Sequence, residues 1–225
     1  IGCSSRLVGY VDFCTLHGTH GRAPAFATGL KLARPDLEVV VITGDGDGLA
    51  IGGNHLIHAA RRNIDITVLL LNNSIYGMTG GQAAPTTPAG AVASTTPAGN
   101  SEPDFDACRL LLGAGASFVA RVLAATPMEM TKVMVEGMKH RGFSFIEVIS
   151  DCPEYYGRYN KVGGGADMLT WMAGRDQNVT GPLSSKKFVN HVPSSIPPPG
   201  ITTGILHCEE RPVFAGIRGD DCNGS

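Results

Sequence analysis

Thr43 to Gln82 reads TGDGDGLAIGGNHLIHAARRNIDITVLLLNNSIYGMTGGQ. The apolar run Glu38 to Thr43 enters it as a strand and ends in the glycine-rich loop Gly44-Asp45-Gly46-Asp47-Gly48. The spacing from about Leu49 to Arg62 predicts a helix. Asp65 to Leu71 is a second strand, ending in Asn72-Asn73, a turn and more glycines. Neither strand alternates with polar residues, so both belong in a parallel sheet buried on two faces. The result is one βαβ unit with polar residues at both strand ends, where open parallel sheets bind ligands.

Working outward, Thr19-His20-Gly21-Arg22 leads into a helix over Ala23 to Ala33, with Pro24 near its start and Arg34-Pro35 after it. Apolar residues between Gly9 and Leu16 allow a strand there. Asp104 to Gly113 reads as a helix, Ser117 to Val122 as a strand, Pro127 to His140 as a helix and Ser144 to Ile149 as a strand. This alternation calls for a three-layer, doubly wound, mostly parallel α/β sheet over residues 1–150. Residues 151–225 read as a loop-rich C-terminal extension, with a linker at Pro193 to Gly200 and a last short strand at Thr203 to His207. Ala83 to Asn100, rich in Pro, Thr, Ala and Gly, is expected on the surface as a long loop.

Composition narrows the function. Of 225 residues 43% are hydrophobic and 17% charged, with a net charge of -2. That charge offers no field for nucleic acid or an anionic membrane. No apolar run approaches a membrane span and no secretory signal is visible. The six cysteines (Cys3, Cys14, Cys108, Cys152, Cys208, Cys222) are too scattered for a disulfide framework, which favours a reducing, cytoplasmic compartment.

The Gly44 to Gly48 loop can turn backbone N–H groups toward an anion at a helix start. It lacks the Gly-Lys-Ser or Gly-Lys-Thr of a Walker loop, and the third glycine and distal acid of a dinucleotide fingerprint. Instead it carries a carboxylate, Asp45, opposite the carboxamide of Asn73. A carboxylate, a carboxamide and a backbone carbonyl suit a hard ion such as Mg²⁺, completed by phosphate oxygens and water. Two glycine turns capping helices are the plainer reading of either half alone. His17-x-x-His20 and His55-x-x-His58 lack a third ligand in sequence, so zinc is disfavoured. Glu129, Lys132, Glu136 and Lys139 fit a solvated helix face, and Cys14 and Cys108 buried apolar positions.

GDG followed by the Asn pair resembles the thiamine-diphosphate motif. The full Thr43 to Gln82 string, with IGCSS, THGRAPAFATG and EVISDCPEYYGRYNK in the same order, resembles the β subunits of 2-oxoacid:ferredoxin oxidoreductases. GASFVAR, GFSFIEV and YYGR-x-NK are most similar to the 2-oxoglutarate branch. The resemblance implies the thiamine-diphosphate-binding fold for residues 1–150. It makes Asp45 and Asn73 side-chain Mg²⁺ ligands, with Ile75 giving its backbone oxygen. Gly44, Gly46 and Asp47, with Gly77, Met78, Thr79, Gly80, Gly81 and Gln82, would wrap the cofactor, although Met78 also reads as an ordinary core residue. Ile1, Gly2, Cys3, Ser4 and His20 would lie against its other side. Cys3 and Cys152 match two of the four ligands of a [4Fe–4S] cluster. The other pair, an upstream Cys-x-x-Cys, is absent from a sequence that starts in mid-motif at Ile1, and truncation is the expectation.

The implied reaction is oxidation of 2-oxoglutarate, with coenzyme A and oxidised ferredoxin, to succinyl-CoA, CO₂ and reduced ferredoxin. The resemblance places the activating Glu and most substrate contacts on an α subunit, so this chain holds no catalytic acid of its own. Pyruvate or another 2-oxoacid as substrate, a non-oxidative thiamine-dependent decarboxylase, and a non-catalytic subunit with an unused site are the alternatives.

Overall fold

The computed structural model describes residues 2–174, 176–178 and 201–214. Gly2–Gly9 forms 3₁₀ turns and Ala23–Ala33 the helix α1. Then come β1 (Val40–Gly44), a wide helical turn over Gly46–Ile51, α2 (Gly53–Arg61) and β2 (Thr67–Asn72). After a long irregular segment the chain resumes with α3 (Ala107–Gly113), β3 (Phe118–Leu123), α4 (Pro127–Lys139) and β4 (Ser144–Ile149). The wide turn Pro153–Gly157, α5 (Gly165–Ala173), β5 (Asp176–Asn178) and β6 (Ile201–Cys208) complete it.

The strands form one six-stranded sheet in the order β1-β2-β4-β3-β6-β5. The first four are parallel to one another, and β6 runs antiparallel to β3 with a bulge between Val119 and Ala120. Successive strand residues point to opposite faces, which sorts the core into two layers. Val68, Leu70, Val119, Phe143 and Phe145 pack with Leu56, Ala60 and Leu111 from α2 and α3. Leu69, Phe118, Ala120, Ile146 and Val148 face the other way, toward Met130, Val133 and Met134 of α4. α4 approaches the sheet closely at Gly137, where a Cβ would stand 2.7 Å from Ile146 Cδ1. The fold is the three-layer, mostly parallel α/β arrangement that the sequence predicts. β6 covers the expected last strand and adds C-terminal residues to the sheet built by the first 150.

Several local expectations change. Gly9 to Leu16 forms no strand; Tyr10, Phe13 and Leu16 are 85%, 81% and 67% exposed, because no neighbouring edge among the described residues pairs with them. Cys14 is accordingly exposed rather than buried. The helix expected from Leu49 is broken at Gly52, whose N–H bonds the Asp47 carbonyl at 3.0 Å. A Cβ on Gly52 would sit 2.6 Å from that carbonyl. The Ala83 to Asn100 segment folds inward: Ala84, Thr86, Thr87, Ala91, Ala93 and Asn100 are buried. Its own bonds permit this, among them Gly90 N–H to the Asn100 carbonyl and Asn100 N–H to the Ala91 carbonyl, so the buried backbone stays paired. Pro193 to Gly200 and Cys222 lie outside the described residues, and Cys208 is exposed. Glu129, Lys132, Glu136 and Lys139 do form an exposed face.

Candidate cofactor site

The carboxyl ends of β1 and β2 are adjacent, with Gly44 paired to Leu71, so Asp45 and the Asn72-Asn73 pair leave the sheet side by side. The two asparagines then part. Asn72 is buried; its Nδ2 donates to Glu147 Oε1 at 2.7 Å and its Oδ1 accepts from Ser74 N–H at 3.0 Å. Ser74 takes a left-handed φ of 59°, which turns the chain sharply. Asn73 instead lines a cavity of about 170 Å³, its Oδ1 capping Ile75 N–H at 3.3 Å.

Cys3, Ser4, His20, Gly44, Asp45, Gly46 and Asp47 line this cavity from one side. Ile75, Gly77, Met78 and Thr79 line it from the β2 side. Met78 is 52% exposed there, not a core residue. Gly80, Gly81 and Gln82 stand behind the wall: Gln82 exchanges hydrogen bonds with Thr79, and Gly81 packs against Tyr155. Ile1 lies outside the described residues, and Gly2 is described only as backbone.

Asp45 is 3% exposed, and burial pushes its carboxyl up to about 6. The Thr86 hydroxyl, donating to Oδ2 at 2.5 Å, offsets part of that. Asp47 behaves differently. Burial acts upward on it too, but Thr43 Oγ1 at 2.7 Å and Gly21 N–H at 2.6 Å hold it below the usual range. Its Oδ1 also meets His20 Nδ1. Asp47 therefore holds His20 at the cavity wall, which it also lines itself. Tyr76 locks the two loops together. Its hydroxyl donates to the Gly46 carbonyl at 3.0 Å, and its ring meets His20 edge-on at 6.5 Å. A Cβ on Gly46 would lie 2.2 Å from that ring, so only glycine fits.

At the cavity's rim, a Cβ on Gly77 would stand 3.3 Å from Cys3 Sγ and 3.4 Å from Cys152 Sγ. The two thiols, 149 positions apart in sequence, thus face each other across one glycine. Sequence reasoning missed Tyr76, Thr86, Leu71, Ser150 and Asp151. The aromatic residue between Ile75 and Gly77 was a usable signal for Tyr76; Thr86 had none.

The donor set fits a hard cation. Asp45 and Asn73 converge on the cavity, and among the described residues no N–H donates to the Ile75 carbonyl. No three His, Cys, Asp or Glu among the described residues are grouped to hold a metal. A cation here must therefore take its remaining ligands from amide, carbonyl and phosphate oxygens.

The thiamine pyrophosphate enzyme family, C-terminal TPP-binding domain, matches residues 1–148. The 2-oxoglutarate:ferredoxin oxidoreductase from Magnetococcus marinus, solved with 2-oxoglutarate, coenzyme A and succinyl-CoA bound, superposes with a TM-score of 0.79 at 34% identity. That likeness covers 96% of this chain and 72% of the other. The chain belongs to the thiamine-diphosphate-binding β subunits of the 2-oxoacid:ferredoxin oxidoreductases. The 2-oxoglutarate synthase subunit KorB of Methanothermobacter marburgensis is 58% identical over 172 residues, 76% of this chain and 60% of that protein. The 2-oxoglutarate oxidoreductase subunit KorB of Mycobacterium tuberculosis is 53% identical over 68% of this chain and 41% of its own length. The Saccharolobus solfataricus 2-oxoacid:ferredoxin oxidoreductase subunit beta is 41% identical over 69% and 52%. This oxidoreductase β chain thus spans about three-fifths, or less, of these curated relatives.

The raised Asp45 pKa has a sign that can be tested. Its folded value lies above its unfolded one, so the protonated form favours the fold, and that stability disappears as pH rises through about 6. Without a cation, the chain should lose about 2 kcal/mol relative to an Asp45→Asn variant between pH 4 and pH 7. A cation needs the ionised form, so Mg²⁺ affinity should fall roughly tenfold per pH unit below about 6. Urea melts and Mg²⁺ titrations across that range measure both, and flat profiles would contradict the assignment.

Proposed function

We propose that this chain grips Mg²⁺–thiamine diphosphate in a heteromeric 2-oxoglutarate:ferredoxin oxidoreductase. Its products are succinyl-CoA, CO₂ and reduced ferredoxin. The observation that carries the reading is the convergence of Asp45 and Asn73 on one cavity that Cys3 and Gly77 also line, with Cys152 packed behind Gly77. Bound thiamine diphosphate supplies a thiazolium carbon and an electron sink for loss of CO₂ from a 2-oxoacid.

Asp45, Asn73 and the Ile75 carbonyl hold the cation. Gly44, Gly46 and the backbone from Gly77 to Thr79 surround the diphosphate, with Gly80, Gly81 and Gln82 backing that wall. His20, held through Nδ1 by Asp47, faces it from the opposite wall. Cys3 and Cys152 supply two thiolates of a [4Fe–4S] cluster beside the cofactor, and a cubane needs two more ligands. Among the described residues no glutamate lines the cavity, and we assign the acid that activates the cofactor's pyrimidine to a partner, the α subunit. The curated relatives are themselves named as subunits. We assign residues 1–150 as the cofactor-binding domain and residues 151–225 as its C-terminal extension. No helix among the described residues is long and apolar enough to cross a membrane, and we place the enzyme in the cytoplasm.

The test is reconstitution of the full-length chain with its partner subunit. 2-Oxoglutarate and coenzyme A should together drive reduction of ferredoxin or a viologen and form succinyl-CoA, while this chain alone does neither. Faster turnover of pyruvate would move the substrate assignment. Release of CO₂ without acceptor reduction would replace it with a non-oxidative enzyme.

A further inference from the structure

The cation-binding donors come from two separate loops. Asp45 follows β1 within a turn opened by glycines. Asn73 and Ile75 flank Ser74, whose left-handed backbone is held within the turn by Asn72 Oδ1, accepting from Ser74 N–H at 3.0 Å. One short segment touches both. Thr86 Oγ1 donates to Asp45 Oδ2 at 2.5 Å, and Thr87 Oγ1 donates to the Ser74 carbonyl at 2.7 Å.

Both threonines are buried, at 3% and 0% exposure. Their own placement is fixed. Thr87 Oγ1 accepts from Ala84 N–H at 2.8 Å, Thr87 N–H bonds the Ala84 carbonyl, and Asn100 Nδ2 donates to the Thr87 carbonyl at 2.7 Å. Farther along, Asn160 pairs with both backbone groups of Val92 and ties the segment to the body. A hydroxyl on Asp45 fixes which way the carboxylate faces, and one on Ser74 fixes the turn that presents Asn73 and Ile75.

We infer that Thr86 and Thr87 are positioning residues that clasp the two halves of the cation site together. Neither touches the cation; each acts through a ligand-bearing loop, and the inference rests on the Mg²⁺–thiamine diphosphate reading. Outer partners of this kind change metal affinity by about 10–100-fold when removed.

The experiment titrates Mg²⁺ into the full-length apo-enzyme at saturating thiamine diphosphate, following cofactor binding by circular dichroism and calorimetry. Thr86→Val should raise the Mg²⁺ Kd by about 10–100-fold, and Thr87→Val should do the same. Thr86→Ser keeps the hydroxyl and should restore wild-type affinity. Thr86→Ala provides the same reading should valine prevent folding. Thr96→Val, on the same segment, removes a buried hydroxyl with no partner among the described residues and should leave Mg²⁺ affinity unchanged. Wild-type affinity in Thr86→Val and Thr86→Ala overturns the inference, as does a Thr86→Ser enzyme as weak as Thr86→Val. Wild-type enzyme that takes up thiamine diphosphate with no divalent-ion dependence overturns the cofactor reading, and the clasp with it.

Discussion

Replacing Asp45 by asparagine is expected to lower the affinity for Mg²⁺ and thiamine diphosphate by about 100-fold or more, beyond the loss from an outer partner. Asp45 is the only carboxylate in the donor set, beside a carboxamide and a carbonyl. Mg²⁺ keeps much of its hydration shell and binds through one or two carboxylates plus phosphate oxygens, so losing that single charge removes most of the protein's hold. Asparagine is the right probe because its carbonyl oxygen can still accept from Thr86 Oγ1. Alanine would leave that hydroxyl stranded at a cost of about 1–3 kcal/mol and confuse binding with folding. The apo variant should therefore be at least as stable as wild type at neutral pH, since it no longer buries an ionised group. Loss of cofactor binding together with gained stability is the signature. Mg²⁺-dependent binding that survives the substitution removes Asp45 from the site.

The second large effect lies behind the site. Glu147 is 2% exposed in the middle of β4, paired in register with Arg121 on β3. Arg121 Nε donates to Glu147 at 2.6 Å, and its Nη2 reaches Asp106, the N-cap of α3, at 2.7 Å. Cys108 Sγ lies 3.3 Å from the same carboxylate, and burial pushes that thiol's pKa well up, so it stays a neutral donor. Arg121→Met leaves the glutamate buried without its cation and should cost about 3–5 kcal/mol, read as a lowered denaturant midpoint. Adding Glu147→Gln to that variant should recover part of the loss, because the uncompensated charge goes while a group that can accept from Asn72 Nδ2 remains. A loss below about 1 kcal/mol would mean the pair adds no more than an exposed one.

These two residues show what sequence could and could not display. The strands were legible because unalternating apolar runs such as Val39 to Ile42 and Val68 to Leu71 have few other uses. β4 falls on the expected residues. Asp45 and Asn73 were legible because a carboxylate inside a glycine loop and an amide at a strand end lie within one βαβ unit. Thr86 was not, since its partner is 41 positions away and a threonine beside prolines reads as loop. The Arg121–Glu147 pair was hidden in the same way, as two charges on strands whose adjacency only the sheet order reveals. Tyr10 to Leu16 misled in the opposite direction. Its apolar residues suggested pairing, but no strand in the described fold lies beside it.

The position of β6 bears on how the protein is made. Its partner β3 is complete by Leu123, yet β6 begins only at Ile201. On a ribosome adding about 5–20 residues per second, β3 must wait several seconds as an open hydrogen-bonding edge. Such an edge can recruit a neighbouring nascent chain. Slowing elongation between the two strands, or overproducing the chain, should therefore favour inclusion bodies.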